Sequence, residues 1–268
     1  MIARSYLYVP ANNLEMLKKA TSRGADALII DLEDSVAQGE KDQARENLIS
    51  WLDDLVTTTQ IWVRINAEEI DQDLKIIQSR KVHGIVVPKA SHSIMSYVSD
   101  SVGDRYVLSA LIETAEGVLD ALRIAQITRV EFLQIGVLDL TAELGLARDL
   151  NVDTINYALS HLVLASAAAG INPPIAPMYR DFNDLEGLRD SCRGHRANGF
   201  FGKSCVHPKQ VEIINQEFSY SSEEIADAKA VIEAIESSQG VALDSKGRMI
   251  DIASAKHARR IIESVGEQ

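Results

Sequence analysis

Short runs of apolar residues recur along most of the chain and alternate with longer segments of helical periodicity. Val, Ile, Leu and Ala dominate the runs, as is typical of strands that are buried on both faces of a parallel sheet. Eight runs that alternate with helices predict a (β/α)8 TIM barrel. The predicted strands are Tyr6–Val9, Ala27–Ile30, Ile61–Ile65, Gly84–Val87, Tyr106–Ile112, Phe132–Ile135, Pro174–Met178 and Phe200–Val206. A doubly wound open sheet is the alternative, but the chain has no glycine-rich phosphate loop to support it.

The pattern changes after the eighth predicted strand and its helix. The last part of the chain predicts a helix over Ser222–Ser237, a hairpin with its turn at Asp244–Gly247, and a final helix over Ala253–Val265. The sequence therefore predicts a barrel domain at residues 1–217 and a C-terminal helix–hairpin–helix extension at residues 218–268. Because a barrel closes without such an extension, we expect it to pack on a neighbouring subunit.

Two of the predicted strands each end in a lone carboxylate. Glu113 follows the fifth strand and Asp139 follows the sixth, with a helical pattern over Gly117–Ile127 between them. Neighbouring parallel strands end at the same edge of a sheet, so the two carboxylates should converge. Like charges at close range need a cation or a proton, and Mg²⁺ is commonly held by one or two carboxylates. Gly136 and Thr114 favour a tight loop around the pair; the alternative is that each carboxylate caps a helix or pairs with a surface base.

Polar residues also end several other predicted strands. Glu33, Arg64, Lys89 and His207 each follow or close an apolar run. The active site of a barrel lies at the carboxyl ends of its strands, so these side chains should face the same mouth as the two carboxylates.

Composition and charge argue against several classes of protein. The formal net charge of −12 argues against a general binder of nucleic acids or anionic membranes. Cys192 and Cys205 have neither disulfide nor metal-ligand spacing, which suits a reducing cytoplasm. The first residues lack a signal-peptide pattern, and the most apolar helix, around Leu159–Gly170, is too short to span a bilayer. We therefore expect a cytoplasmic protein.

Eight short motifs occur in a fixed order along the chain. They are Arg4-Ser5 with Val9-Pro10; Asp31–Val36 with Lys41 and Ala44-Arg45; Val63–Asn66; Val87–Lys89; Ile112–Thr114; Gly136 with Asp139; Gly202-Lys203 with Val206–Pro208; and Gly247–Asp251. Through these motifs the chain resembles the citrate lyase β-subunit and its relatives in the HpcH/HpaI aldolase and citrate lyase family, which are metal-dependent carbon–carbon lyases. One departure is Ala11, where the family usually has glycine.

The resemblance implies a role for each of four residues. Glu113 and Asp139 would bind Mg²⁺, and Arg64 would bind a substrate carboxylate or the carbonyl oxygen. An arginine suits this role because its planar, permanently charged fork binds carboxylate in a bidentate manner. Asp251 would reach into the next subunit's barrel as an acid/base, which implies a homo-oligomer, a trimer or a hexamer.

The remaining polar residues have two interpretations each. The resemblance implies that Glu33 and Asp34 lie behind the reacting groups, where they hold Arg64 or a metal-bound water. Alternatively, Arg64 is a structural partner of the acidic cluster Asp31–Asp34. Lys89 either binds a phosphate of the CoA substrate or is solvated. His207 is a structural residue, or lies at the edge of the cofactor site, rather than a base.

The expected reaction is the reversible cleavage of a 3-hydroxy-3-carboxyacyl-CoA, namely malyl-, citramalyl- or citryl-CoA, to acetyl-CoA and a 2-oxo acid. Pocket size at the mouth would select among these thioesters. Two alternatives are also enzymes: a citrate lyase β-subunit that acts on an acyl-carrier-protein thioester within a complex, and a CoA-independent aldolase. A non-catalytic barrel that serves as a scaffold or binding protein is the alternative from another class.

Overall fold

The chain forms a closed eight-stranded parallel barrel. A computed structural model describes residues 3–77, 80–146, 153–238, 241–243, 247 and 249–266. The barrel strands are β1 Ser5–Pro10, β2 Ala27–Asp31, β3 Gln60–Arg64, β4 Gly84–Val87, β5 Val107–Ile112, β6 Val130–Ile135, β7 Ile175–Ala176 and β8 Gly202–Cys205. Each strand pairs in parallel with the next, and β1 pairs with β8. The barrel prediction is confirmed, and the open-sheet alternative is wrong.

Helices surround the barrel and connect its strands. They are α1 Leu14–Ala20, α2 Lys41–Asp54, α3 Ile70–Ile76, α4 His92–Val102, α5 Ala115–Leu119, α6 Ala121–Ala125, α7 Val137–Glu143, α8 Asp153–Ala169, α9 Leu185–Ala197 and α10 Val211–Glu217. Their apolar faces cover the outer side of the barrel, where the larger hydrophobic cluster lies. None of the described helices combines the length and the hydropathy that a bilayer-crossing segment needs.

A smaller cluster of alternate strand residues fills the barrel interior. Trp62 packs against Phe132 with ring centroids 5.0 Å apart, and Tyr6 packs against Phe132 at 5.4 Å. Gly84 leaves space for these aromatic side chains, because a Cβ there would lie 2.4 Å from the Trp62 ring. The interior is therefore filled beneath the carboxyl ends of the strands, where Asp31 and Arg64 end β2 and β3.

Two local predictions near the carboxylates are wrong. The single helix predicted over Gly117–Ile127 is two short helices, α5 and α6, which meet at Asp120. The tight loop predicted around Asp139 is the first turn of α7, with Gly136 at its N-cap. Because Gly136 begins a helix at once, Asp139 lies on helical rather than loop backbone.

The second compact unit contains Ser219–Gln268, whereas the barrel unit is Ala3–Phe218. It consists of α11 (Ser222–Ser237), an antiparallel pair formed by β9 (Val241–Leu243) and β10 (Met249–Asp251), and α12 (Ile252–Gly266). A capping box between Ser221 and Glu224 starts α11. The predicted turn at Asp244–Gly247 lies outside the described residues except for Gly247. Packing of this extension on a neighbouring subunit stays a prediction.

Lys203 is a fully buried lysine on β8 that points away from the barrel interior. Its ammonium lies 3.1 Å from Ser191 Oγ and 3.2 Å from His195 Nδ1, both on α9. Burial lowers the pKa of Lys203 to about 8. Burial, together with the nearby Lys203 charge, lowers the pKa of His195 to about 3. Burial is the largest influence on the pKa of Lys203 and disfavours its charged form, so this charge is a cost to the folded state.

This cost predicts a change in stability for Lys203→Met. The folded-state pKa lies below the ordinary 10.5, so the cost is complete below about pH 8 and disappears as the pH rises towards 10.5. We expect the variant to raise the free energy of unfolding at pH 7 by about 3 kcal/mol and to flatten its rise between pH 8 and 10.5. Urea denaturation across this range is the measurement, with the exposed Lys209→Met as control. A variant that is less stable at pH 7 would show that the hydrogen bonds of Lys203 outweigh its burial.

Candidate active site

Arg64 and Asp31 form the centre of the barrel mouth. They are the last residues of β3 and β2 and lie opposite each other in the strand register. The guanidinium donates two hydrogen bonds of 2.7 Å, from Nε to Asp31 Oδ1 and from Nη2 to Asp31 Oδ2. Burial opposes both charges, but the pairing outweighs it, so the pKa of Asp31 lies below its ordinary value and that of Arg64 above. Both groups are therefore charged, and Arg64 is fixed in direction.

Asp31 is also held by the loop that follows it. The backbone amide of Glu33 donates to Asp31 Oδ1 at 2.9 Å, and the amide and hydroxyl of Ser35 donate to Oδ2. Asp31 belongs to the acidic cluster that the alternative interpretation gave to Arg64 as a structural partner, and this pairing is observed. The register indicates which member of the cluster makes the pair, because Asp31 ends β2 directly opposite the arginine that ends β3.

Glu33 lies between two cations. Arg64 Nη1 is 3.0 Å from Glu33 Oε2, and Lys89 Nζ is 3.5 Å from Glu33 Oε1. Asp34 Oδ2 lies 3.4 Å from the same Arg64 nitrogen. Both Glu33 oxygens are shielded from solvent, and neither is in hydrogen-bond alignment with these cations. Burial raises the pKa of Glu33 to about 7 against the opposing charge of Arg64.

Tyr8 on β1 forms the floor beneath Arg64. The guanidinium carbon lies 5.2 Å from the centre of the Tyr8 ring, within cation–π distance. The Tyr8 hydroxyl donates to Gln134 Oε1 at 3.3 Å, and Gln134 Nε2 donates to Ser109 Oγ at 2.9 Å. Tyr8 was not predicted as a site residue, because a tyrosine inside an apolar run indicates a core position.

Arg64 with Asp31, Glu33 and Asp34 forms the Arg64 cluster. Glu113 follows β5 and is buried near this cluster. Its Oε1 accepts a hydrogen bond of 2.7 Å from the backbone amide of Lys89, which has a left-handed φ of 47°. A Cβ on Gly136 would lie 2.6 Å from Glu113 Oε2, so only glycine leaves room for this carboxylate. Burial raises the pKa of Glu113 to about 8; the Lys89 hydrogen bond opposes this shift, and the charges of Glu33 and Asp139 add to it.

Asp139 lies in the first turn of α7, just beyond the end of β6, and is exposed. The amide of Gly136 donates to the Ile112 carbonyl at 2.9 Å, which ties the segments that carry Asp139 and Glu113 together. One buried and one exposed carboxylate fit Mg²⁺, which takes one or two carboxylates and fills its other positions with water or substrate oxygens. Within the described ranges no group of three His, Cys, Asp or Glu side chains could hold a metal. The donor set therefore suits a hard ion more than zinc.

Lys89, His207 and Asp251 have local contacts that bear on their predicted roles. The Lys89 side chain is half-exposed, so its amide supports Glu113 while its ammonium faces Glu33. His207 Nδ1 accepts a hydrogen bond from the Lys209 amide, and its ring stacks on Phe182 at 4.6 Å. Asp251 lies in the second unit and accepts hydrogen bonds from the amide and hydroxyl of Ser254, which lower its pKa. It is therefore a charged carboxylate at neutral pH.

The chain is similar to known proteins along most of its length. A family model described as HpcH/HpaI aldolase/citrate lyase matches residues 4–208. The chain is 37% identical to the (3S)-malyl-CoA thioesterase of Cereibacter sphaeroides over 90% of this chain and 87% of that protein. It is 28% identical to the L-malyl-CoA/β-methylmalyl-CoA lyase of Rhodobacter capsulatus over 97% and 93%. A structure of CitE from Mycobacterium tuberculosis with magnesium, acetoacetate and coenzyme A matches with a TM-score of 0.80 and 29% identity, over 98% of each chain.

Proposed function

Because the chain belongs to the HpcH/HpaI aldolase/citrate lyase family, we propose that it is a magnesium-dependent carbon–carbon lyase that cleaves a 3-hydroxy-3-carboxyacyl-CoA to acetyl-CoA and a 2-oxo acid. The observation that carries this proposal is the grouping of Glu113, Asp139 and Arg64 at one mouth. Arg64 and Asp139 both act on the pKa of Glu113, so the three charges lie within electrostatic reach of one another. Malyl-, citramalyl- and citryl-CoA are the candidate substrates.

The carboxylates of Glu113 and Asp139 would hold the ion. Mg²⁺, when bound there, supplies Lewis-acid polarisation of the substrate's hydroxyl and carboxylate oxygens. The Lys89 amide keeps one oxygen of Glu113 occupied, so that the other is directed past Gly136. The protein thus presents a fixed carboxylate and does not have to reorganise it during turnover.

Arg64 would stabilise the charge that develops at the bond being broken. Two of its donor groups are taken by Asp31, which leaves Nη1 directed towards the acidic side of the mouth. As the C–C bond breaks, its electron pair becomes the thioester enolate and the hydroxyl-bearing carbon becomes the carbonyl of the 2-oxo acid. One proton leaves the hydroxyl and one adds to the enolate carbon to give acetyl-CoA. A guanidinium that is already oriented provides its stabilisation without an entropic cost at that moment.

We assign the proton transfer to Asp251, in the extension of a neighbouring subunit of a homo-oligomer. Its lowered pKa keeps it a base at neutral pH. Ser254 holds the carboxylate in place from the first turn of α12. The buried free thiols of Cys192 and Cys205 are compatible with a reducing cytoplasm as the site of the reaction.

Subunit mixing tests this assignment. Asp251→Asn and Arg64→Ala subunits should each be inactive alone, whereas a mixed oligomer contains some sites with both native residues. For a trimer mixed at equal ratio we expect about a quarter of the wild-type activity, because half of the barrels carry Arg64 and half of the neighbours carry Asp251. Native mass spectrometry would establish that subunits have exchanged. Mixed oligomers that stay inactive would place the base within the same subunit or elsewhere.

A thioesterase is the second candidate, and the 37% identity to a (3S)-malyl-CoA thioesterase favours it. The two reactions give different products from the same substrate. With (3S)-malyl-CoA the lyase releases acetyl-CoA and glyoxylate, whereas the thioesterase releases malate and free CoA. Mass spectrometry of the products from malyl-, citramalyl- and citryl-CoA, with Mg²⁺ and with EDTA, decides between them. Free CoA without acetyl-CoA would overturn the lyase proposal.

A further inference from the structure

Lys41, the first residue of α2, is a buried lysine whose ammonium binds backbone carbonyls. Its Nζ donates to the Leu32 carbonyl at 2.8 Å and to the Glu33 carbonyl at 2.7 Å. A cation is disfavoured at a helix N-terminus, where the helix dipole is positive. The two carbonyls are the compensating contacts, so this lysine holds the loop after β2 rather than the helix.

That loop carries the groups that surround Arg64. Glu33 lies 3.0 Å from the Arg64 guanidinium and 3.5 Å from the Lys89 ammonium, with no hydrogen bond that fixes its carboxylate from the side. The position from which the Glu33 side chain reaches these two cations is therefore set by its backbone. The backbone is fixed on one side by the Glu33 and Ser35 amides, which donate to Asp31, and on the other by Lys41.

We propose that Lys41 is a positioning residue for the lyase reaction: by binding the Leu32 and Glu33 carbonyls it aims Glu33 at Arg64 and Lys89. The inference rests on the proposed function, because it assumes that the Arg64 cluster serves catalysis. Lys41 does not touch the cluster's charged side chains and acts only through the loop. Displacement of a charged neighbour by about 1 Å alters the field at Arg64, and misplacement of that size costs about 100-fold in rate.

The chain contains a matched control. Lys81 likewise donates to two backbone carbonyls, those of Leu52 at 2.6 Å and Asp53 at 2.7 Å, at the C-terminal end of α2. Lys81→Met therefore removes the same kind of lysine–carbonyl contact at the far end of α2 without touching the loop after β2. Lys41→Arg is the conservative variant, because a guanidinium retains several donors for the two carbonyls.

The first part of the test has two measurements. Steady-state kinetics are measured on the preferred CoA ester, and Mg²⁺ is titrated by calorimetry in the absence of substrate. For Lys41→Met we expect kcat to fall about 100-fold, with KM and the affinity for Mg²⁺ changed less than about threefold. Lys41→Arg should recover at least about tenfold of that loss. Lys81→Met should keep the wild-type kcat.

Hydrogen–deuterium exchange forms the second part and needs no substrate. In Lys41→Met the peptide that spans residues 31–36 should lose protection, since its amides depend on the loop that Lys41 holds. The same peptide in Lys81→Met and the peptide around Glu113 in both variants should exchange as in wild type. A rise in exchange throughout the barrel would mean that Lys41 has only a structural role.

The outcomes separate this inference from the function on which it rests. If the wild type is active and Lys41→Met keeps the wild-type kcat, the positioning role alone is overturned. The same holds if Lys81→Met loses as much kcat as Lys41→Met. A wild type that cleaves none of the three CoA esters overturns the lyase proposal, and the positioning role with it.

Discussion

Glu113→Gln is expected to abolish magnesium-dependent turnover while making the metal-free protein more stable at alkaline pH. Glutamine can still accept the hydrogen bond from the Lys89 amide, so the local geometry is preserved. It cannot supply the negative charge that a hard divalent ion requires. We expect kcat to fall by about 10³-fold or more, since several kcal/mol of charge stabilisation are lost and each 1.36 kcal/mol is a factor of ten.

The stability effect follows from the pKa of Glu113. Burial raises this pKa to about 8, above the 4.5 of an ordinary glutamate. The folded state therefore binds the proton more tightly than the unfolded state, and the stability that this provides is complete below about pH 4.5 and lost as the pH rises through 8. At pH 9 without metal, Glu113→Gln should be more stable than wild type by about 5 kcal/mol, a gain that disappears near pH 4.5.

Thermal or urea unfolding in EDTA at pH 5 and pH 9 measures this difference, and a coupled assay for acetyl-CoA measures turnover. Glu116→Gln is the matched control, because Glu116 lies three residues away on α5 and is exposed. It should change neither quantity. Turnover of Glu113→Gln that still responds to Mg²⁺ would contradict the metal assignment, and an unchanged stability at pH 9 would contradict the electrostatic account of the site.

The barrel was predictable because most of its strands, such as β2, β4 and β5, are buried on both faces and so appear in the sequence as continuous apolar runs. The same property places Glu113 and Arg64, since a charged residue at the end of such a run has to lie at the rim of the barrel. Asp139 was harder. Its position after β6 was predicted, but the helical turn that carries it depends on Gly136 at the N-cap of α7, and the sequence only suggested a loop there.

The supporting residues of the site were predicted only in part, because they depend on tertiary neighbours. A pairing of Arg64 with the Asp31–Asp34 cluster was one interpretation of the sequence, but only the register of β2 and β3 selects Asp31 as the partner. Tyr8 lies beneath Arg64 because β1 and β3 both pair with β2 and the Tyr8 side chain faces inward. The predicted contribution of Lys89 was its ammonium, whereas its amide holds Glu113 through a left-handed backbone conformation that is rare outside glycine.

Arg64 variants should separate catalysis from structure, and the effect on activity should be nearly as large as that of Glu113→Gln. Arg64→Met removes the charge from the mouth and leaves Asp31, which is 1% exposed, without its partner. We expect kcat to fall about 10³-fold and the free energy of unfolding to fall by about 3–5 kcal/mol, as is usual when one member of a buried ion pair is removed. Arg64→Lys keeps the charge but loses the bidentate pairing, and should retain at most about 1% of wild-type activity.

The control variants distinguish these effects. Arg4 pairs with Asp26 in the same bidentate manner ahead of β1 and β2, at the opposite rim, so Arg4→Met should lower stability without lowering kcat. The double variant Asp31→Asn with Arg64→Met removes both charges, and should recover most of the lost stability because no uncompensated carboxylate remains. It should recover no activity, because the guanidinium itself is missing. A double variant that regains turnover along with stability would mean that Arg64 serves only as the structural partner of Asp31, and the lyase would then need another source of positive charge at the bond it breaks.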